Sequence, residues 1–160
     1  MADEDQDTPL KTKIEQLLTE ARVIIPGGQA LLGFQFTATL TRAFSELPAS
    51  AKYIHAGGLC AIALAVILLM TPAALHRIAY RGEDNETFFR SGSALVIAAA
   101  FPLAAGVSAN IYVAFLKATD SGLAAAIASL VAFAVLLALW FAYPLARRTG
   151  GARHIAQGGH

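Results

Sequence analysis

Residues 91–116 read SGSALVIAAAFPLAAGVSANIYVAFL, 26 positions without one Asp, Glu, Lys or Arg. About 20 residues at ~1.5 Å each cross a hydrocarbon core of ~30 Å, so a run of this kind marks a membrane-crossing helix. It is one of four. Residues 121–146 form another uncharged run of 26, residues 53–75 one of 23 and residues 23–41 one of 19. Together they occupy 94 of 160 residues, in a chain that is 56% hydrophobic and 14% charged. A soluble domain carries about 45–50% apolar and about 25% charged residues. This composition excludes a soluble globular enzyme, a disulfide scaffold and a nucleic-acid-binding domain.

The fold expected is all-α: a four-helix transmembrane bundle with an N-terminal amphipathic helix. Its spans lie at about 23–43, 53–75, 91–116 and 121–146 within one membrane domain, residues 9–148. Residues 1–8 are expected to form a disordered acidic tail and residues 149–160 a flexible one. The net charge of +1 gives no bulk attraction to nucleic acid. Cys60, the single cysteine, lies inside the second span and reads as a small packing residue. The acidic start lacks the basic and apolar regions of a secretory signal, so the first span is expected to engage the insertion machinery itself.

Outward from the spans, Thr8-Pro9 reads as a helix start, with proline at the first helical position. Leu10, Ile14, Leu17, Leu18 and Ala21 share one helical face, while Lys11, Lys13, Glu15 and Glu20 occupy the rest. This helix is expected to lie on the bilayer, with packing on its own bundle as the alternative. Pro26-Gly27-Gly28 predicts a kink or break one turn into the first span. That span is the least apolar, and Gln29, Gln35, Thr37, Thr39 and Thr41 must face helices, another subunit or water. In the second span Gly57 and Ala61 form a small-xxx-small step. The third helix is expected from Asn85, with Ala98, Pro102, Gly106 and Asn110 along one stripe. Asp120 or Ser121 is expected to cap the fourth, which carries two small-residue seams: Ala124, Ala128 and Ala132, and Ser121, Ala125 and Ser129.

Orientation follows from the basic residues. Lys11, Lys13, Arg22, Arg77, Arg81, Arg90, Arg147, Arg148 and Arg153 fall on the side of the termini, against Arg42, Lys52 and Lys117 on the other. Nine against three predicts both termini in the cytoplasm.

No catalytic residues, metal ligands or cofactor are expected. The four histidines stand in no nucleophile–base or metal spacing, and no carboxylate lies inside a span, which counts against ion–proton exchange. Gln35, Thr39 and Asn110 read either as a polar path or as glue between helices. Arg77, Arg81 and Arg90 read as anchors for lipid headgroups, with positive-inside anchoring as the simpler account.

The run Glu20-Ala21-Arg22-Val23-Ile24-Ile25-Pro26-Gly27-Gly28-Gln29-Ala30-Leu31, with Thr71-Pro72-Ala73-Ala74-Leu75-His76-Arg77 after the second span, resembles an uncharacterised bacterial family of small four-span membrane proteins. The shared features are an acidic-x-Arg pair, Pro-Gly-x-Gln and a His-Arg, and the resemblance covers about residues 15–148. It implies the four-span layout in a bacterial inner membrane and no established activity. If the pattern carries function, its carriers are Glu20, Arg22, Gln29, His76 and Arg77. They are expected as a cytoplasm-facing polar cluster in which Glu20 or Arg22 pairs with His76 or Arg77. The expected partners are the lipid bilayer and further copies of the chain, with any small-molecule or ion ligand left open. The function expected is a non-catalytic, oligomerising structural or interaction module. The alternative is a channel or small transporter whose first helix lines a polar path.

Overall fold

The computed structural model describes residues 9–147, and every regular element among them is helical. Thr8, Arg148, Arg153 and the two tails, residues 1–8 and 149–160, lie outside the described residues. Four long helices alternate in direction. They are α1 (Leu10–Thr39), α3 (Ala49–Ile78), α4 (Glu86–Thr119) and α5 (Gly122–Leu137), and the short α2 (Arg42–Ser45) joins the first two. A π-helical turn, Ala138–Ala142, extends α5, so that one helical rod runs from Gly122 to Arg147. Among the described residues, three helices are long and apolar enough to cross a membrane: α3, α4 and the α5 rod. α1 matches α3 in length at 30 residues. It is not among the three, because Gln29, Gln35 and its threonines dilute the apolar stretch.

The ends of the helices are set by side chains. Asn85 accepts a hydrogen bond from the Thr87 amide at 2.7 Å and starts α4, where the sequence places it. Asp120 closes α4 in the left-handed region, at φ 49°, and Ser121 accepts from the Ala124 amide at 3.3 Å to open α5. So two adjacent residues share the tasks of stopping one helix and starting the next. At the other end of the chain, Pro9 itself is the N-cap of α1, one place later than expected.

Two expectations about α1 need correction. The amphipathic segment is not a separate helix lying on the bilayer: it is the first third of α1. Ile14, Leu17 and Ala21 are buried, and Ala21 joins Leu69 of α3 and Ala99 of α4 in the core. Nor does Pro26 break the helix. It removes one backbone donor, which lies on an exposed side of α1, and the helix continues through Gly27-Gly28. Pro72 and Pro102 likewise stand inside unbroken helices.

Close packing depends on glycines, of which Gly106 stands on an expected stripe and the others do not. Gly57 is exposed, and a Cβ there would meet nothing within 4 Å. Its neighbour Gly58 is the contact: a Cβ would stand 2.8 Å from the Ala109 Cβ and 3.4 Å from the Gly106 carbonyl. Of the stripe Ala98, Pro102, Gly106 and Asn110, only Gly106 is buried, and Ala98 is exposed. Gly28 of α1 receives Val66 of α3 in the same way, and Gly92 of α4 receives Leu17 of α1.

α1, α3 and α4 share this core, whereas α5 packs on α4. Ala125 is fully buried there, and the Ser129 hydroxyl donates to the Ser108 carbonyl of α4 at 2.8 Å. The Ser121–Ala125–Ser129 seam is therefore used within the chain. Only 6% of the most apolar stretch of α5 is buried, against 33% for α3, so α5 presents a wide apolar face outward.

Candidate functional site

Gln35, His55 and Asn110 meet where α1, α3 and α4 converge near the ends next to α2. Gln35 is 4% exposed and His55 5%, which makes them the two most buried large polar side chains among the described residues. The Gln35 carboxamide nitrogen donates to the Asn110 side-chain oxygen, joining α1 to α4. His55 Nε2 lies 3.2 Å from the Gln35 backbone carbonyl, joining α3 to α1; for that contact to be a hydrogen bond, Nε2 carries the proton. The His55 ring is also held edge-on by Phe44 of α2, with 4.9 Å between centroids.

Space for the amide pair comes from Gly58. A Cβ there would lie 3.5 Å from Gln35 Nε2 as well as against Ala109, so the missing side chain lets Gln35 reach between α3 and α4. A cavity of about 350 Å³ adjoins the trio, walled by apolar side chains such as Phe34, Leu47 and Val113. At its rim Glu46 accepts from Lys117 Nζ at 3.2 Å and pairs with Arg42 Nε at 3.4 Å. These are exposed pairs, of the kind worth about 0–1 kcal/mol. Chemically, the trio offers hydrogen-bond donors and acceptors that tie three helices together. Among the described residues, no three His, Cys, Asp or Glu side chains converge as a metal site would require.

The structure separates the residues read as carriers of the family pattern. Glu20, Arg22, Gln29 and Arg77 are all exposed, and no ion pair joins Glu20 or Arg22 to His76 or Arg77. The expected pairing is therefore corrected. Glu20 and Arg22 stand on the exposed side of α1, because Ala21 between them takes the buried position. His76 instead packs on Phe88, with 4.8 Å between ring centroids, and its Nε2 stands 4.0 Å from Asp84 in the loop that follows. Arg77, Arg81 and Arg90 are exposed at this same end, with Arg81 and Gly82 in the left-handed region of the loop.

The second candidate set divides. Gln35 and Asn110 are brought together, whereas the Thr39 hydroxyl donates to the Phe36 carbonyl of its own helix at 2.6 Å and takes no part. His55 was missed by the sequence reading. The signal was present in the spacing: Gln35 and His55 each stand ten residues from Ser45 in the first turn. His55 and Asn110 are nearly equidistant from Glu83 in the second loop. Antiparallel helices bring such residues to one level.

The described residues are all helical apart from their connections and include three helices long and apolar enough to cross a membrane, which suggests a helical membrane protein. The sequence profile of a family of unknown function, DUF6328, matches residues 3–144, and the chain belongs to that family. No curated protein matches the chain, and no solved structure does.

Proposed function

We propose that the chain is a non-catalytic membrane module that associates with copies of itself and serves a structural or interaction role. In this reading α1 is the fourth span, and both termini face the cytoplasm of a bacterial cell. The observation that carries it is Gln29. This residue is exposed on α1, and its side chain makes no hydrogen bond among the described residues. It lies seven residues beyond Arg22, about 10 Å deeper along the helix axis. In hydrocarbon an unpaired polar group costs several kcal/mol. A carboxamide is its own complement, so a second copy offers both the donor and the acceptor that Gln29 lacks. The face beside it is open, since a Cβ on Gly33, one turn along, would meet nothing within 4 Å.

The channel reading draws on the same exposed face. Against it, Thr37 and Thr39 donate back to carbonyls of their own helix, at 2.9 and 2.6 Å, which leaves them satisfied without a water-filled path. The test is self-association in bilayers, measured by energy transfer between labelled copies. The unmodified chain associates, and Gln29→Leu weakens the association about 3- to 30-fold, the equivalent of one interhelical hydrogen bond in a membrane. A chain that stays monomeric at every protein-to-lipid ratio overturns the reading. Ion flux through liposomes that Gln29→Leu abolishes would favour the channel.

A further inference from the structure

Between the Arg90 half of α4 and the far half of the α5 rod runs an open apolar groove of about 890 Å³. Its walls include Ala94, Ile97 and Phe101 from α4 and Ala138, Phe141 and Leu145 from α5. Towards the α4–α5 turn, the two helices are closed on each other by the Ser129–Ser108 bond and by the edge-on contact of Phe101 with Phe133, 5.9 Å between centroids. Beyond that contact the π-helical turn, Ala138–Ala142, shifts the register of α5. Ridges matched to α4 above the turn no longer match below it. Alanines on both walls leave the mismatch unfilled.

The groove has a polar head. Arg90, Ala94, Ile97 and Phe101 follow one another at spacings of four, three and four, and so lie on one line along α4. Arg90 stands at the end of that line, where the uncharged stretch begins. Its side chain is 82% exposed, and its one ion pair among the described residues is to Glu86 at 3.9 Å within the same helix. An occupant that fits has a long apolar part and a single anionic group at one end. We propose that the groove holds an acyl chain of a glycerophospholipid whose phosphate rests on the Arg90 guanidinium. A second copy of the chain is the poorer occupant: its parallel α5 would bring Arg147 towards Arg90, cation against cation. The proposal rests on the membrane reading of α4 and α5, and it holds whether or not the chain self-associates.

The test uses the full chain in nanodiscs containing phosphatidylglycerol with a diazirine on one acyl chain. Labelled positions are mapped by mass spectrometry of the digested protein. Labelling of residues 94–101 and 137–145 is expected at least fivefold above that of Leu64 and Ile67, which face outward on α3. A diacylglycerol with the same diazirine but no phosphate is expected to label the groove at least fivefold less. Both comparisons use the unmodified protein. Ala98→Trp fills the groove and removes the excess labelling there while sparing Leu64 and Ile67. Arg90→Gln brings the phospholipid down to the level of the diacylglycerol. Even labelling of groove and α3 would mean ordinary bulk lipid and overturn the proposal. Equal labelling by the two probes, or no response to Ala98→Trp, would overturn it as well. A chain that fails to enter nanodiscs overturns the membrane reading along with it.

Discussion

Gly58 and Gly106 bring the backbones of α3 and α4 into contact: a methyl group on Gly106 would stand 2.8 Å from the carbonyl oxygen of Gly58. No side-chain rotation relieves that clash, because the obstacle is backbone. Gly106→Leu is therefore expected to destabilise the chain by at least about 1–3 kcal/mol, the usual cost of overpacking. Gly57→Ala meets open space and removes a helix-interior glycine, so it is expected to be neutral or to stabilise by up to about 1 kcal/mol. Thermal unfolding in one detergent ranks the two variants, and equal effects would deny that Gly58, rather than Gly57, faces α4.

The Gln35–Asn110 pair is open to a double-mutant cycle. Gln35→Leu and Asn110→Leu each remove one side of the amide–amide hydrogen bond between α1 and α4, and the coupling expected is about 0.6–1.7 kcal/mol. Strict additivity in denaturant titrations would show that the two amides do not act together.

A second cycle is expected to give nothing. Glu20→Ala and Arg77→Ala remove exposed charges on different helices that make no ion pair with each other. Their effects are expected to add within about 0.3–0.5 kcal/mol. Coupling of 1 kcal/mol or more in the same titration would restore the cluster read from the sequence.

Ser129→Ala removes the hydroxyl that ties α5 to the Ser108 carbonyl. The expected loss is about 0.5–1.5 kcal/mol, the net value of one hydrogen bond. The loss is also expected to be local. Hydrogen exchange should quicken along α5 and leave α3 unchanged, and uniform quickening across all helices would show α5 to be part of the common core.

Much of this fold is readable in the residues themselves. The charge-free runs locate α3, α4 and α5, because the absence of Asp, Glu, Lys and Arg over a full bilayer thickness is a constraint that few other structures satisfy. Asn85 and Ser121 announce the starts of α4 and α5, since an N-cap is local chemistry. The choice between Gly57 and Gly58 is not local. Both are glycines on one helix, and only the rotation of α3 against α4 decides which is covered. The same holds for the candidate site. Gln35 and Asn110 stand out as amides in apolar surroundings. That they meet depends on helix level and rotation together, and His55 was passed over because its level was not compared with theirs. Glu20, Arg22 and Arg77 stand out equally well in the sequence. Their charges suit an exposed helix surface, and nothing in the spacing distinguishes that from a paired cluster.

Because α5 leans on α4 and the main core is shared by α1, α3 and α4, the three helices of that core are complete once Thr119 has been synthesised. The last helix then adds to a finished trio, steered by a two-residue elbow at Asp120 and Ser121. A stop codon placed just past that elbow would give a shorter product that keeps α1, α3 and α4 entire, and the same elbow marks where a designer could detach, exchange or fuse the final helix.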